Sequence, residues 1–372
     1  MTKLLTICIP TYKRSETLRR CIDSIVAQID KYGLADYVDI YVTNDASPDD
    51  TISVLHAYES LSYFKGVTRE KNLGMNLNIK CMLNEVAKKS DYQLIITDDD
   101  FLQPDVMGEM VEFLRTQQND PNRVSAIWTP RYSYTEDGQL HTVVCGRLGH
   151  TTLVRPSAIN SGRHMFDGFV LSGLIVRAEN IDFDFWELYK ENAYFPMIFF
   201  GDVLYRGGAY YWHKNLVHHT VLNKCHWESW GRNDLYIGLK KFADFMNTYD
   251  IMSRKFNKST ETIGFYYAAF QTIQRTLERF MHSDELKCEK AQVLAAIHDL
   301  KVGGIIKFKP PLSWLMVYAF IRSSILGIFK LTVLRMILLV PGKENNSGYY
   351  KDRAEAYLAF LRAIPLMFKV IK

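Results

Sequence analysis

Short apolar runs alternate with amphipathic stretches over the first 130 residues of the chain. The apolar runs have the length and β-branched content of buried strands, and they lie at Leu5–Pro10, Asp39–Thr43, Phe64–Thr68 and Tyr92–Thr97. Apolar residues at helical spacing predict helices at Ser15–Ile29, from Asp50 to about Ser60, after Gly74 through Ala87, and at Val106–Leu114. Ser15 is the expected N-cap of the first helix. This alternation predicts an α/β fold with a mainly parallel sheet, right-handed crossovers and helices on both faces.

The pattern is less regular from about residue 125 to about residue 235. Strand-like stretches at Ala126–Trp128 and Gly168–Arg177 are followed by a predicted helix at Tyr194–Arg206. We therefore expect one α/β domain over 1–230, divided at 130, and then a helical region over 231–300.

Residues 301–372 form a third predicted region. Leu312–Val340 is strongly apolar, and no acidic residue lies in 301–343, which carries seven Lys and Arg residues. We expect a helix or helix pair that lies on an anionic membrane with its Lys and Arg side chains directed towards the headgroups. The alternative is a buried helical hairpin that packs on the rest of the protein.

Composition excludes several classes of protein. The chain has 372 residues, is 48% hydrophobic and has a net charge of +4, so a large core is available and nucleic-acid binding is not indicated. Its six cysteines include no CxxC pair, which favours reduced thiols in the cytoplasm. The apolar part of the N-terminus is too short for a signal peptide. We therefore expect the protein at the inner, cytoplasmic face of the membrane.

Three consecutive aspartates, Asp98, Asp99 and Asp100, follow the fourth predicted strand. Three carboxylates at one strand end repel one another unless a positive charge lies among them. Ligands of open α/β sheets bind at this edge, and a hard divalent cation shared with a diphosphate would fit such oxygen ligands. The alternative is a solvated acidic turn in which Asp100 or Asp105 caps the next helix.

The other strand ends carry residues suited to a nucleoside diphosphate. After the first strand, Pro10, Thr11 and Tyr12 supply a hydroxyl and an aromatic ring. After the second strand, Asp45 supplies a hydrogen-bond acceptor. After the third strand, Arg69 supplies a cation, and Asn72 with Gly74 supplies a flexible turn. Each is also common in turns, caps or surfaces. Their shared position at the strand ends favours a nucleotide site.

These motifs resemble those of family 2 glycosyltransferases of the GT-A fold. The matching elements are Pro10-Thr11-Tyr12, Asn44-Asp45-Ala46-Ser47, Asn72-Leu73-Gly74 and Asp98-Asp99-Asp100 with Pro104. The resemblance is strong over 1–130 and weaker over 165–220, and the Asn72 to Asn78 spacing is similar to the abequosyltransferase-like branch. Two departures are Asn44, in place of an aspartate, and Thr97, at the first position of a wider acidic motif.

The resemblance implies particular roles for these residues. Asp45 would bind the base or ribose, Asp99 would be the principal ligand of Mg²⁺ or Mn²⁺, and Asp98 would contact the ribose or support the metal. Asp100 would support the metal as well. Pro10, Thr11, Tyr12, Arg69, Asn72 and Gly74 would complete the nucleotide-sugar site.

The resemblance also implies an inverting sugar transfer from a nucleotide-diphosphate donor to a hydroxyl of a glycan. The catalytic base expected ahead of a helix is Glu191, with Asp202 as second choice and Asp167 and Asp184 still open. His218 and His219 are interpreted as loop or phosphate contacts. By analogy the acceptor is lipid-linked, as in bacterial surface polysaccharide synthesis.

Three other functions are compatible with parts of this pattern. A sugar nucleotidyltransferase would normally carry a glycine-rich phosphate loop after the first strand, and Pro10-Thr-Tyr-Lys-Arg14 has no glycine. A glycosidase needs two carboxylates but no nucleotide site. A non-catalytic scaffold that binds nucleotide sugars would not need the intact aspartate triplet.

Overall fold

A computed structural model of the chain describes residues 2–120, 123–134, 140–145, 148–220, 244–245 and 247–282. The chain divides into two compact units, Met1–Asn223 and Lys224–Lys372. The predicted membrane region, 301–372, and the predicted domain limit at 230 lie outside the described residues.

The first unit contains twelve described strands in two sheets. They are β1 (Lys3–Thr11), β2 (Val38–Asn44), β3 (Phe64–Thr68), β4 (Ser90–Ile95), β5 (Phe101–Leu102), β6 (Ala126–Trp128), β7 (Arg131–Tyr134), β8 (Leu140–Cys145), β9 (Thr152–Val154), β10 (Leu174–Val176), β11 (Ala209–Tyr211) and β12 (Val217–Thr220). The large sheet has the order β3-β2-β1-β4-β10-β6-β11-β9, and the small sheet has the order β5-β12-β7-β8. Strands β1 to β4 pair in parallel, whereas β10 runs antiparallel between β4 and β6.

Helices connect these strands. Those of the first unit are α1 (Ser15–Tyr32), α2 (Thr51–His56), α3 (Met75–Val86), α4 (Met107–Gln118), α5 (Ala158–His164), α6 (Phe183–Trp186) and α7 (Phe195–Gly207). Short 3₁₀ turns lie at Met165–Phe169, Ala178–Asn180 and Glu187–Tyr189. The predicted α/β class with a mainly parallel sheet is confirmed.

The strand order reverses direction beside β1. The chain builds outwards from β1 to β3 and then returns through α3 to β4 on the other side of β1. Because the crossovers are right-handed, this reversal puts α3 on the opposite face of the sheet from α1. In open α/β sheets a reversal of this kind forms a crevice at the carboxyl ends of the two central strands, here β1 and β4, and ligands bind in it.

Strand β1 lies in the interior of the sheet, and its side chains form part of the hydrophobic core. The Leu5, Ile7 and Ile9 side chains are fully buried, and α1 buries Leu18 and Ile22 in the same cluster. Full burial of each such side chain stabilises the fold by roughly 1.5–3 kcal/mol. The carboxyl end of β1 is therefore a rigid support for polar residues placed beyond it.

Two local predictions were wrong. Ser15 is not the N-cap of α1: Arg14 holds that position, and the Asp49 carboxylate accepts the Ser15 N–H at 3.2 Å. The strand predicted at Gly168–Arg177 is limited to β10, because Gly173 at φ 86° leaves the extended region just before it.

The start of α4 excludes the simple acidic-turn interpretation of the aspartate triplet. Val106 is the N-cap of α4 and makes no side-chain cap. Gln28 on α1 accepts the N–H groups of Val106 and Met107 through its Oε1, at 3.0 and 3.1 Å. Neither Asp100 nor Asp105 caps this helix, so capping does not account for the triplet.

The second unit is described only in part. Residues 247–253 are helical, and α8 runs from Ser259 to His282. Its Phe265 ring lies 5.0 Å from that of Phe256 and 6.2 Å from that of Tyr249. Among the helices described, none combines the length and the apolar character that crossing a bilayer requires.

Candidate active site

Two neighbouring carboxylates share one guanidinium at the carboxyl end of β4. Arg14 Nη1 lies 3.0 Å from Asp98 Oδ1 and 2.6 Å from Asp99 Oδ2. The Asp98 and Asp99 side chains are 6% and 8% exposed, whereas that of Arg14 is 30% exposed. Arg14 is thus the most solvent-exposed of the three charged side chains.

The positive charge of Arg14 does not compensate both carboxylates. The pKa of Asp98 is raised to about 6, because burial, the largest effect, and the neighbouring Asp99 carboxylate together outweigh the opposing effect of Arg14. A second positive charge beside Asp98 and Asp99 would therefore be bound favourably.

Asp100 faces other partners than its two neighbours do. Its carboxylate accepts the Thr220 N–H at 3.0 Å, the Thr97 hydroxyl at 3.1 Å and a ring nitrogen of His219 at 2.9 Å. Burial lowers the pKa of His219, but Asp100 more than reverses this effect, so that its pKa lies above the usual value. Asp100 joins the end of β4 to β12, and its predicted role as a metal ligand stays a prediction.

The loop after β1 is held against both neighbouring strands. Tyr12 N donates to Asp98 Oδ2 at 3.4 Å, Lys13 N donates to Ser47 Oγ at 3.0 Å, and Asp45 N donates to the Thr11 carbonyl at 2.9 Å. Lys13 has φ 57°, a left-handed conformation that is uncommon for residues other than glycine. Strained backbone of this kind persists where surrounding contacts hold it, and it is concentrated at functional sites.

The predicted residues Pro10, Thr11 and Tyr12 follow one another out of the sheet. Pro10 and Thr11 are buried in β1, whereas Tyr12 is 39% exposed. An aromatic ring in this position, next to the two carboxylates, could stack on a nucleotide base.

Asp45 organises the turn that enters α3. Its two carboxylate oxygens accept the N–H groups of Leu73 and Gly74 at 2.8 and 2.9 Å. Asn72 Oδ1 also accepts the Gly74 N–H, and Gly74 has φ 81°, which other residues rarely adopt. The structure therefore brings together the three predicted residues Asp45, Asn72 and Gly74.

Arg69 is directed to protein partners. Its Nε donates to Asn78 Oδ1 at 3.0 Å, and its terminal nitrogens donate to both oxygens of Glu85, the shorter distance being 2.5 Å. These bonds indicate a structural role that links β3 to α3. The predicted contact of Arg69 with a nucleotide stays a prediction.

Glu191 lies on a segment that contacts the start of α3. It is exposed in the turn before α7, two residues after Tyr189, whose carbonyl accepts Asn76 Nδ2 at 2.9 Å. Asn76 follows Gly74 by two residues, so this contact ties the Glu191 segment to the Asp45 corner of the crevice.

A series of hydrogen bonds links the backbone of Asp167 to the residue that precedes Asp98. Arg131 donates to the carbonyls of Asp167 and Ser172, and the Ser172 hydroxyl accepts the Thr97 N–H at 2.9 Å. Thr97 immediately precedes Asp98. Sequence reasoning missed Arg131, because a long-range contact from a buried arginine leaves no local signal.

Asp202 and Asp184 are the remaining candidates for the catalytic base. Asp202 is buried inside α7 at 2% exposure, with Arg206 Nε 3.7 Å from its Oδ1. This environment favours a structural role for Asp202. Asp184 is exposed on α6.

The donor atoms at Asp98 and Asp99 fit a divalent cation. Mg²⁺ is commonly held by one or two carboxylates together with substrate phosphates. Asp98 and Asp99 each direct one oxygen at the same positively charged nitrogen and carry more negative charge than Arg14 balances. In the described part of the chain no group of three acidic, His or Cys side chains could hold a metal, so a cation here would need ligands from the substrate.

A family match covers the strand ends described above. Residues 6–152 match the family model "Glycosyl transferase family 2". Over these residues the chain resembles glycosyl transferase family 2. The abequosyltransferase RfbV of Salmonella typhimurium is 26% identical over 114 residues, which are 31% of this chain and 33% of that protein.

Solved structures show the same fold. TarS of S. aureus covers 84% of this chain with a TM-score of 0.55 and 13% identity, and this chain covers 50% of TarS. TarS residues 1–349 in complex with UDP-GlcNAc give a TM-score of 0.58 at 12% identity, with 97% and 91% of the two chains covered. The predicted GT-A fold is confirmed. The chain spans about a third of the length of the abequosyltransferase and half that of the longer TarS structure.

Stability should depend on the protonation of Asp98. Its folded pKa of about 6 lies above the unfolded value of about 3.9, so its contribution is greatest at acidic pH and is lost as the pH rises through 6. Asp98→Asn removes this loss. The free energy of unfolding of this variant relative to wild type should rise by about 1–3 kcal/mol between pH 4.5 and pH 8.

Urea unfolding at both pH values in EDTA measures this difference. Asp36→Asn, at an exposed site, is the matched control and should show no such change. A pH-independent difference for Asp98→Asn would contradict the account of the Asp98 environment.

Proposed function

We propose that the protein is an inverting glycosyltransferase. It moves a sugar from a nucleotide-diphosphate donor to a hydroxyl of a glycan acceptor and uses Mg²⁺ or Mn²⁺. The observation that carries this proposal is the convergence of Tyr12, Asp45, Asp98 and Asp99 at the ends of β1, β2 and β4, beside the reversal in strand order. The family match over 6–152 supports it.

The reaction is a displacement at the anomeric carbon of the sugar. A bond forms from the acceptor oxygen to this carbon, the bond from the carbon to the diphosphate oxygen breaks, and the nucleoside diphosphate leaves. The acceptor proton passes to a carboxylate of the protein. Asp98 and Asp99 would hold the divalent cation, which as a Lewis acid supplies stabilisation of the negative charge on the leaving diphosphate.

Tyr12 and Asp45 would bind the nucleoside. The exposed ring of Tyr12 stacks on the base in this proposal, and the corner formed by Asp45 and Gly74 supports the base and ribose. TarS has been solved in complex with UDP and with UDP-GlcNAc, and by analogy the donor here is a nucleotide sugar. Such a corner is already held in place by the Leu73 and Gly74 N–H groups, which limits the cost of ordering it on binding.

Glu191 is the proposed catalytic base. It is exposed, it precedes α7, and its segment contacts Asn76 at the entrance to the nucleotide corner. Asp167 is the second candidate, because Arg131 and Ser172 tie its segment to Thr97. We do not include Asp202, which is buried beside Arg206.

A nucleotide screen tests the donor site. In the presence of Mn²⁺, one of UDP, GDP, CDP and dTDP should raise the melting temperature in proportion to its affinity, because ligands that bind only the folded state stabilise it. Asp99→Asn should remove at least nine-tenths of this metal-dependent shift, whereas Asp36→Asn should retain it. If no nucleotide stabilises the wild type, the glycosyltransferase proposal fails.

Substitution of the base tests the chemistry separately from donor binding. Glu191→Gln should lower turnover, measured as release of nucleoside diphosphate, by about 10²–10⁴-fold, the usual contribution of general base catalysis. The nucleotide-induced thermal shift should be unchanged. Glu179→Gln, at an exposed site, is the control, and a loss of turnover on Asp167→Asn instead would move the base to Asp167.

The acceptor is proposed to be a lipid-linked glycan of bacterial surface polysaccharide synthesis. The apolar, basic sequence of 301–343 supports attachment to an anionic membrane surface, and the similarity to an abequosyltransferase supports a glycan acceptor. The full chain should co-sediment with vesicles that contain anionic lipid and should remain in solution with neutral vesicles. Equal recovery with both kinds of vesicle would contradict electrostatic attachment.

A further inference from the structure

Arg14 is the most exposed of the three charged side chains at the end of β4. One of its nitrogens, Nη1, contacts both carboxylates, and the Arg14 side chain is more exposed than either. The guanidinium contacts one oxygen of each carboxylate, Asp98 Oδ1 and Asp99 Oδ2, so a cation that uses these two oxygens must share them with Arg14 or displace it.

The backbone at Arg14 is held independently of its side chain. Arg14 is the N-cap of α1, the preceding Lys13 is held in a left-handed conformation by Ser47, and the Arg14 carbonyl accepts the N–H of Leu18. The guanidinium can therefore change partners by rotation of its side chain while the loop and the helix keep their places.

The chemistry of the guanidinium favours a second partner of a particular kind. Arginine binds phosphate oxygens with paired, charge-assisted hydrogen bonds, which match a diphosphate as well as they match carboxylates. A diphosphate that enters beside Asp98 and Asp99 brings oxygens for Arg14 and oxygens for a divalent cation at once.

From this geometry we propose that Arg14 is an internal counter-cation that couples the binding of the divalent cation to that of the donor diphosphate. Before the donor binds, Arg14 neutralises part of the charge of Asp98 and Asp99 and competes with the cation. When the diphosphate binds, its oxygens accept hydrogen bonds from the Arg14 guanidinium, and the carboxylates of Asp98 and Asp99 become available to the cation. This inference rests on the proposed function, and it assigns Arg14 a positioning role.

Direct measurement of Mn²⁺ binding tests this coupling. Electron paramagnetic resonance of free Mn²⁺ gives its affinity for the full chain, alone and with saturating nucleoside diphosphate chosen by the thermal screen. The wild type should bind Mn²⁺ at least tenfold more tightly with the diphosphate than without it. Arg14→Met should bind Mn²⁺ alone about tenfold more tightly than wild type does, and its coupling should be weaker than that of wild type, because only the oxygens that the diphosphate supplies to the cation then couple the two ligands.

Two further variants keep the test decisive. Arg14→Lys retains one positive charge without the paired donors and should give intermediate values, which guards against a failure of Arg14→Met to fold. Arg115→Met, on α4 where Arg115 bonds Glu112, is the matched control and should behave as wild type. Circular dichroism verifies that each variant is folded.

The outcomes separate this inference from the proposed function. If the wild type binds both ligands and Arg14→Met and Arg14→Lys keep the wild-type affinity for Mn²⁺ and the wild-type coupling, the inference about Arg14 is overturned and the donor site stands. If the wild type binds neither Mn²⁺ nor any of the diphosphates, the proposed function fails and the inference fails with it.

Discussion

The arrangement of the first unit depends on the imbalance between two buried carboxylates and one guanidinium at the end of β4. Asp98 and Asp99 lie within 3.0 Å and 2.6 Å of the same Arg14 nitrogen. Placing two negative charges in a largely buried position is unfavourable, because little water solvates them and because like charges repel each other. The site therefore favours an additional positive charge, and the proposed binding of a metal together with an anionic substrate depends on this property.

The fold holds this unfavourable cluster by surrounding it with contacts from several elements. The reversal in strand order beside β1 opens the crevice, the loop at Lys13 is bonded to Ser47, and Asp100 is bonded to β12 through His219 and Thr220. Electrostatic groups that are fixed before the substrate binds need little reorganisation during reaction, which is how preorganised sites stabilise developing charge. The buried strands and these contacts thus hold the charged side chains of the candidate site in place.

Local patterns predicted much of this fold, and long-range contacts account for what they missed. The apolar runs located β1 to β4 because burial of both faces requires them, and the aspartates fell at a strand end because the strand is short and apolar. The cap that Gln28 supplies to α4 joins residues far apart in sequence, as does the contact of Arg14 with the aspartates. Arg14 was visible as a basic residue after β1, but its partners were not. Likewise, nothing in the local sequence distinguished Asp100, which bonds β12, from its two neighbours.

The central claim is that Asp98 and Asp99 bind a divalent cation together with a nucleoside diphosphate. Anomalous scattering from crystals grown with Mn²⁺ and the diphosphate that stabilises the protein tests this claim most directly, because it locates the cation without reference to activity. A single strong peak is expected in contact with carboxylate oxygens of Asp98 or Asp99 and with diphosphate oxygens. A bound diphosphate with no peak at these aspartates, or with the cation held by other side chains, would contradict it.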